Sequence, residues 1–384
     1  KNRRMRDMKI LHLADLHLGK RVNEMSMIED QKYILDQIIT LIKEESVGIV
    51  LLCGDIYDKS IPTIEAIHLL DEFLDQLSKM AIKVLMISGN HDSIDRLSFG
   101  KSLFTRSNLY IASQFENEIE KITVKENGIT VNFYMLPFVK SAYISHIFQL
   151  QTDSYEECFR YLIEHTKIDE EETNILLSHQ FVTANKKNPE LSDSETSSLG
   201  GIDNIDFHIF DPFDYVALGH IHKPQAMGRE MVRYAGSILK YSFSEIHMKA
   251  TILTIDAKKE ISLSFHPLKP LRDMREIECS LEELLKKQCE IGNQEDYMHV
   301  ILTDEEQILD AIGKVRTIYP NVMQISFKNR RHMKQLESAQ IKEDQISDQS
   351  PAELFEQFYK MQNHIDLDEK RLQLVLSVFE EVIR

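Results

Sequence analysis

Five times along this chain an apolar, β-branched run ends on a small knot of Asp, Asn, His and Gly. Ile10 to Ala14 leads into Asp15 and His17, and Ile49 to Cys53 into Gly54, Asp55 and Asp58. Lys83 to Ile87 leads into Gly89, Asn90, His91 and Asp92, Thr173 to Ser178 into His179, and Tyr215 to Leu218 into Gly219, His220 and His222. Strand ends are where open α/β sheets place their sites. These five strand ends are therefore where a site is expected.

Between the runs lie amphipathic helical stretches, Glu29 to Glu44 and Thr63 to Met80, so the first ninety residues read βαβαβ, an α/β layer architecture. A second series of strands is predicted at Glu118 to Lys125, Ile129 to Leu136, Thr173 to Ser178, Tyr215 to Leu218, Arg229 to Ala235, Thr251 to Asp256 and Ile261 to His266. The Asn127-Gly128 joint reads as a hairpin turn, which makes part of the sheet antiparallel. The polar segment Asn185 to Asn204 reads as a long surface loop. Pro267 and Pro270 mark a boundary, and a compact βαβαβ module is expected beyond them. The expected division is a main domain over 8–268, a small domain over 271–330, a polar tether over 331–350 and a helical segment over 351–384. In that last segment Ser350, Pro351 and Glu353 form a capping-box signal, and Asp366 with Glu369 repeats it. Packing on its own body and docking on a partner's helices suit these two helices equally well.

The 384 residues carry 45 Lys plus Arg against 62 Asp plus Glu, a net charge of −17, which excludes a uniformly basic nucleic-acid coat. With 42% apolar residues there is material for packed cores. Cys53, Cys158, Cys279 and Cys289 form no CxxC pair, which argues against a disulfide framework and a zinc–thiolate site and favours a reducing, cytoplasmic setting. No apolar run is long enough for a bilayer, so no membrane partner is expected. Met8 can serve as the natural start, and residues 1–7 receive no function.

The knots supply carboxylate, amide and imidazole groups without thiolate. That donor set suits hard to borderline divalent ions, Mn²⁺ first, with Mg²⁺, Fe²⁺ or Zn²⁺ as alternatives. Asp15, His17, Asp55, Asn90, His179, His220 and His222 are seven side chains, too many for one tetrahedral ion and enough for two ions that share a bridging carboxylate. Any one of them taken alone, His179 above all, reads more simply as a turn or cap residue. Only the ordered series DxH, GDxxD, GNHD, H, GHxH carries the inference.

This ordered set resembles the calcineurin-like metallophosphoesterase superfamily. The stretches KILHLADLHLGK, LLCGDIYDKS and ISGNHDSIDRLSFG are similar to those of its SbcD branch, the nuclease subunits of bacterial SbcCD DNA-repair complexes. The resemblance implies a four-layer α/β/β/α sandwich with a small βαβαβ capping domain and a C-terminal helical hairpin. It assigns one metal to Asp15, His17, Asp55 and His222, and the other to Asp55, Asn90, His179 and His220. It implies exonuclease and endonuclease action on double-stranded DNA ends, hairpins and single strands, in repair, recombination and replication. It further implies an SbcC-like ATPase partner docked on the tail helices and a homodimer within a heterotetramer, with helices near Thr63 to Met80 at the dimer interface. The chain has no GxxxxGK[ST] loop of its own, so any ATP dependence belongs to another subunit.

His91, adjacent to a ligand but not itself one, is the candidate general acid, with Asp92 expected to fix its orientation. Asp58 stands where some archaeal and eukaryotic relatives have a second histidine, and is expected to accept a hydrogen bond from a ligand. Lys20-Arg21, Lys101 with Arg106, and Lys186-Lys187 are candidate DNA contacts, or equally solvated surface charges. Two other readings compete: a small-molecule phosphatase or phosphodiesterase on the same site, and a DNA-end-binding scaffold without catalysis.

Overall fold

A computed structural model of the chain describes residues 7–152, 154–185, 187–195, 204–245, 248–289, 292–304 and 308–328, together with Phe355, Tyr359, Lys360 and Leu372. The chain divides into two compact units. The first is Lys1–Ile277 with Ile291–His299 and Arg316–Gln324; the second is Glu278–Glu290 with Val300–Val315 and Ile325–Arg384.

Two six-stranded sheets dominate the first unit. One runs in the order Ile261–Pro267, Lys249–Ile255, Met8–Leu13, Ile49–Cys53, Lys83–Ile87, Leu109–Ala112. Its last four strands are parallel to one another, and Lys249–Ile255 pairs antiparallel with both of its neighbours. The other runs Gln225–Met227, Arg229–Tyr234, Tyr215–Gly219, Thr173–His179, Ile129–Leu136, Glu120–Glu126. The predicted hairpin at Asn127-Gly128 joins its last two strands in antiparallel register.

Successive residues of a strand face opposite sides, and the cores follow that rule. Leu11, Leu13, Val50 and Leu52 pack with Ile34, Ile38 and Ile42 of helix α1 (Ile28–Glu45) and with Leu70, Phe73 and Leu77 of helix α2 (Ile64–Lys79). Their neighbours Ile10, Ile49, Leu51 and Cys53 pack instead with Val131, Phe133, Ile175, Leu177 and Ala217 of the second sheet. On that sheet's far side Tyr134, Leu176, Val216 and Val232 meet Ile144, Cys158, Phe159 and Leu162 of the helices Ser141–Phe148 and Tyr155–Glu164. The layers are α/β/β/α. Burial on both faces explains why Ile49–Cys53 is apolar throughout rather than alternating.

No element is predicted for residues 137–172, and the structure places there the two helices that cover the second sheet. Met274–Cys279, Tyr297–Leu302 and Val322–Phe327 form a separate three-stranded sheet in that order. Within the second unit the helix Leu281–Leu285 opens on a capping box between Ser280 and Glu283. The tether 331–350 and, apart from Phe355, Tyr359, Lys360 and Leu372, the helical segment 351–384 lie outside the described residues. Among the described residues no helix is long and apolar enough to cross a membrane.

Candidate metal centre

The knots open directly from strand ends, and their backbones are bent hard. Asp15, His17, Asp55 and His220 all have positive φ, at 53°, 43°, 49° and 103°. A side chain in the left-handed region costs roughly 1–2 kcal/mol and persists only where its surroundings over-determine it. Here two loops lace together. Asp15 N–H donates to the Gly54 carbonyl at 3.1 Å, His17 N–H to Asp55 at 2.9 Å and Leu18 N–H to Ile56 at 2.9 Å. Buried Gln31 of α1 clamps the first loop from behind: its amide donates to the His17 carbonyl at 2.8 Å, and its oxygen accepts from Gly19 N–H at 3.0 Å.

These bends bring all seven predicted ligands together. Oδ2 of Asp55 lies 3.5 Å from Nε2 of His17 and 3.5 Å from Nε2 of His179. On the first side His17 Nε2 is 3.0 Å from His222 Nε2, and ligand atoms of Asp15, His17 and His222 lie within 4.8 Å of one another. On the second side Asn90 Oδ1 is 3.1 Å from His179 Nε2 and 3.0 Å from His220 Nδ1. The Asp15 carboxylate accepts from His220 N–H at 3.0 Å. The first four ligands come from the first sheet, and His179, His220 and His222 from the second.

The residues present fit a pair of divalent cations. Two carboxylates, four imidazoles and an amide oxygen converge with no Lys or Arg among them, and Asp15, His17, Asp55 and His179 are almost wholly buried. His179 Nδ1 donates to the Cys53 carbonyl at 2.8 Å, which turns Nε2 toward Asp55, as the outer partner of a ligating histidine does. Glycine makes the cradle. A Cβ on Gly89 would stand 2.1 Å from Asp55 Oδ1, and one on Gly219 would stand 1.9 Å from the Cys53 carbonyl oxygen.

Without cations the groups bias one another's protons. Burial pushes the Asp15 carboxyl up to about 7. Burial acts the same way on Asp55, but His179, His17 and His91 outweigh it and hold that carboxylate well below its ordinary range. Burial disfavours the charged form of His179, yet Asp55 and Asp15 raise it to about 9, whereas burial and His179 lower His220 to about 3. Asp55 and the imidazoles around it thus shift one another's protons in opposite directions.

His91 stands at the rim, its side chain 42% exposed, with Nε2 3.9 Å from Asp55 Oδ2. Its orientation is set differently from the expectation. The Asp92 carboxylate accepts backbone N–H groups of Gly89, Tyr57 and Ile56 at 2.8, 3.0 and 3.1 Å, while His91 Nδ1 donates to the carbonyl of Asp58 at 2.9 Å. Asp92 therefore ties the GNHD turn to the GDxxD loop and leaves the imidazole to Asp58. The Asp58 side chain accepts from Lys20 Nζ at 2.9 Å and lies 3.8 Å from His17 Nδ1, beyond hydrogen-bond reach.

A cavity of about 400 Å³ opens over the cluster, lined by His17, Asp55, Asn90, His91, His220 and His222 and walled by Lys20, Phe138 and Phe181. Of the basic clusters, Lys20 reaches this cavity, Lys101 pairs with Glu120 at 2.7 Å, and Lys186 lies outside the described residues. The described part of the segment from Asn185 is largely at the surface, as its polarity suggests, but three of its residues turn toward the site. Ser192 is buried, Ser194 Oγ lies 2.8 Å from His222 Nδ1, and Glu195 accepts from His222 N–H at 2.7 Å. Gln31, Ser194, Glu195 and Glu245 are the site residues that the sequence reading passes over. Their only signal is a polar residue type, which surface positions share.

Comparison with known proteins places the chain in a family. The family described as calcineurin-like phosphoesterase matches residues 8–224. One described as type 5 capsule protein repressor C-terminal domain matches residues 270–363. The chain is 36% identical over 360 residues to the SbcD subunit of the nuclease SbcCD of Staphylococcus epidermidis, a match covering 92% of this chain and 93% of that one. Among solved structures, a dimetal phosphatase from Danio rerio aligns with 69% of this chain and 98% of its own, at 12% identity and a TM-score of 0.42. With a relative this similar across nearly its whole length, and with the phosphoesterase family spanning more than half of it, the chain belongs to the SbcD nuclease family of the calcineurin-like phosphoesterases.

Proposed function

We propose that this chain hydrolyses DNA phosphodiester bonds at ends and hairpins, as exonuclease and endonuclease, using two divalent ions of which Mn²⁺ is the first choice and Mg²⁺ the second. The observation that carries the reading is one oxygen, Asp55 Oδ2, lying 3.5 Å from an imidazole nitrogen on each side. Asp15, His17 and His222 with Asp55 would hold one ion, and Asn90, His179 and His220 with Asp55 the other. When bound, such a pair activates water at neutral pH and neutralises charge on the phosphate oxygens.

The chain's own residues do the rest. His91 donates from Nδ1 to the Asp58 carbonyl, so Nε2 is the atom directed at the cavity; as the imidazolium it would hand the Nε2 proton to the leaving sugar oxygen and revert to the Nδ1–H form. Lys20, paired with Asp58, stands at the wall where a phosphodiester backbone would enter. Phe138 and Phe181 give that wall an apolar side.

Its partners follow from the same reading: an SbcC-like ATPase on the segment 351–384, DNA ends, and a second copy of the chain, in the cytoplasm. Ile61, Ile64 and Ile67, at and before the start of α2, are 70%, 69% and 43% exposed, which supports a dimer contact there. The domain division 8–268, 271–330, 331–350 and 351–384 belongs to this proposal. The test is cleavage of hairpin and blunt-ended DNA with Mn²⁺, Mg²⁺ or chelator, with and without the ATPase. His91→Ala should keep metal and DNA binding and lose cleavage. Activity on a chromogenic phosphodiester with none on any DNA would transfer the reading to a small-molecule phosphodiesterase.

A further inference from the structure

His222 is held by a second set of groups whose only outlet is its far nitrogen. Ser194 Oγ lies 2.6 Å from Oε1 of Glu245 and 2.8 Å from Nδ1 of His222, while Glu245 Oε1 itself is 3.4 Å from that nitrogen. Glu245 is buried, and its carboxylate accepts the backbone N–H of Tyr241 at 3.1 Å, with Ser242 Oγ 3.2 Å and Ser237 Oγ 3.1 Å away. A carboxylate only accepts, and a serine hydroxyl has one proton. The short Ser194–Glu245 contact takes that proton, which leaves Ser194 Oγ with lone pairs facing His222. Nδ1 of His222 must then be the protonated nitrogen, and Nε2, 3.0 Å from His17 Nε2, carries the lone pair into the cluster.

We infer that Glu245 and Ser194 form a positioning relay, His222 Nδ1–H to Ser194 Oγ–H to Glu245, which fixes the tautomer and angle of His222 for one of the two cations and leaves the other cation's ligands untouched. The inference rests on the two-metal reading above and adds to it a division of labour. His179 is fixed by a backbone carbonyl, Cys53 O, which no substitution can remove. His222 is fixed by side chains, one of them on the polar segment that reads as a surface loop. The first cation's site is therefore the one whose histidine orientation depends on side chains, Ser194 and Glu245. Glu195 strengthens the same hold by accepting His222 N–H, which fixes the backbone while Ser194 and Glu245 fix the ring.

The test is a Mn²⁺ titration of the metal-free full chain, followed by calorimetry and by electron paramagnetic resonance. The wild-type protein should take up two ions per chain and show the coupled signal of a close pair. Glu245→Gln should weaken one binding step by about 10- to 100-fold, leave the other within about twofold, and replace the coupled signal by that of isolated Mn²⁺ at equal loading. Ser194→Ala should change the same step in the same direction but less, because Glu245 remains within 3.4 Å of the ring. It decides the question alone if Glu245→Gln does not fold. Two wild-type steps in both variants, or equal weakening of both steps, overturns the relay. Uptake of fewer than two ions by the wild-type chain overturns the two-metal reading instead.

Discussion

Gly54→Ala puts a methyl group where the structure leaves no room for one. Gly54 has φ +83°, where an alanine costs roughly 1–2 kcal/mol. The added methyl would lie 2.2 Å from His179 Nδ1, 2.6 Å from His179 Cγ and 2.9 Å from Gly89 Cα, all far inside contact distance. His179 has no exposed surface. Relieving the overlap therefore means the strain of an overpacked core, roughly 1–3 kcal/mol. Loss of the 2.8 Å hydrogen bond from His179 to the Cys53 carbonyl adds about 1 kcal/mol or more. The sum is about 3–6 kcal/mol, a large share of the total stability of an ordinary domain. Two controls separate the contributions. Gly128→Ala, at an exposed hairpin tip with φ +82°, carries the backbone cost with no buried neighbour to disturb. Gly48→Ala, whose methyl would meet only Glu126 at 3.8 Å, should change little. Urea unfolding of the three metal-free variants gives the stability series, and Mn²⁺ titration of any folded Gly54→Ala protein should show the step that depends on His179 lost. A Gly54→Ala protein within about 1 kcal/mol of wild type and still binding two ions would refute the argument that the absence of a Cβ builds this site.

Gln31→Leu removes the partner of two loop carbonyls and of Gly19 N–H, so it should cost about 2–4 kcal/mol in urea unfolding and weaken Mn²⁺ uptake; normal uptake would show that the loop holds its shape unaided. His12 is buried 3.0 Å from the Tyr215 hydroxyl, and burial lowers it to about 3. Below about pH 6.5 the unfolded chain takes a proton that the native chain refuses, so stability should fall with pH from about 6.5 towards 3, at up to about 1.4 kcal/mol per unit from this residue. His12→Gln should flatten that acid limb by this amount, and an unchanged slope in acid titrations of unfolding would exclude the effect. Since the ligands come from both sheets, Mn²⁺ at a hundred times its dissociation constant should stabilise the chain by about 2.7 kcal/mol per site, and chelator should abolish the gain. Identical melting curves with Mn²⁺ and with chelator would contradict a shared centre.

What the sequence discloses and what it withholds follow from how far each property depends on neighbours. The runs at Ile49 to Cys53 and Lys83 to Ile87 are apolar because both faces of the sheet are covered, and that shows in the letters themselves. The seven ligands are legible for a similar reason: their chemistry belongs to the residue type, and their order along the chain narrows it further. The helix Tyr155–Glu164 carries a readable mark that the expectation above leaves unused, for Ser154 caps it and Tyr155, Cys158, Phe159, Leu162 and Ile163 form one stripe. Ser141–Phe148, short and without a side-chain cap, carries no such mark. Asp92 misleads because adjacency in sequence suggests a pair with His91, whereas in a tight turn the two side chains diverge and the carboxylate caps the loop's own amides. Glu245 is further still from legibility. It lies among serines in a stretch with no periodic signal, and it matters only because the fold turns it beneath His222.

The position of the centre also follows from a conflict between the two sheets. Packed sheets stand about 10 Å apart because side chains fill the space between them, and over most of their area Phe133, Ile175 and Leu51 do so here. At the strand ends the filling changes. A Cβ on Gly219 of the second sheet would fall 1.9 Å from the Cys53 carbonyl of the first, so there the two backbones touch with nothing between them. Apolar side chains cannot be used at such a pinch. The polar atoms left at the strand ends must instead be satisfied across it, by His179 to Cys53 O and by His220 N–H to Asp15. Charge and lone pairs accumulate where the sandwich is narrowest, and seven side chains from two sheets come within reach of one another without any loop having to search for them. The same packing that excludes water from the core thus sets the spacing of the ligands. Substitutions between the sheets, distant from any ligand, should therefore alter metal binding before they unfold the chain.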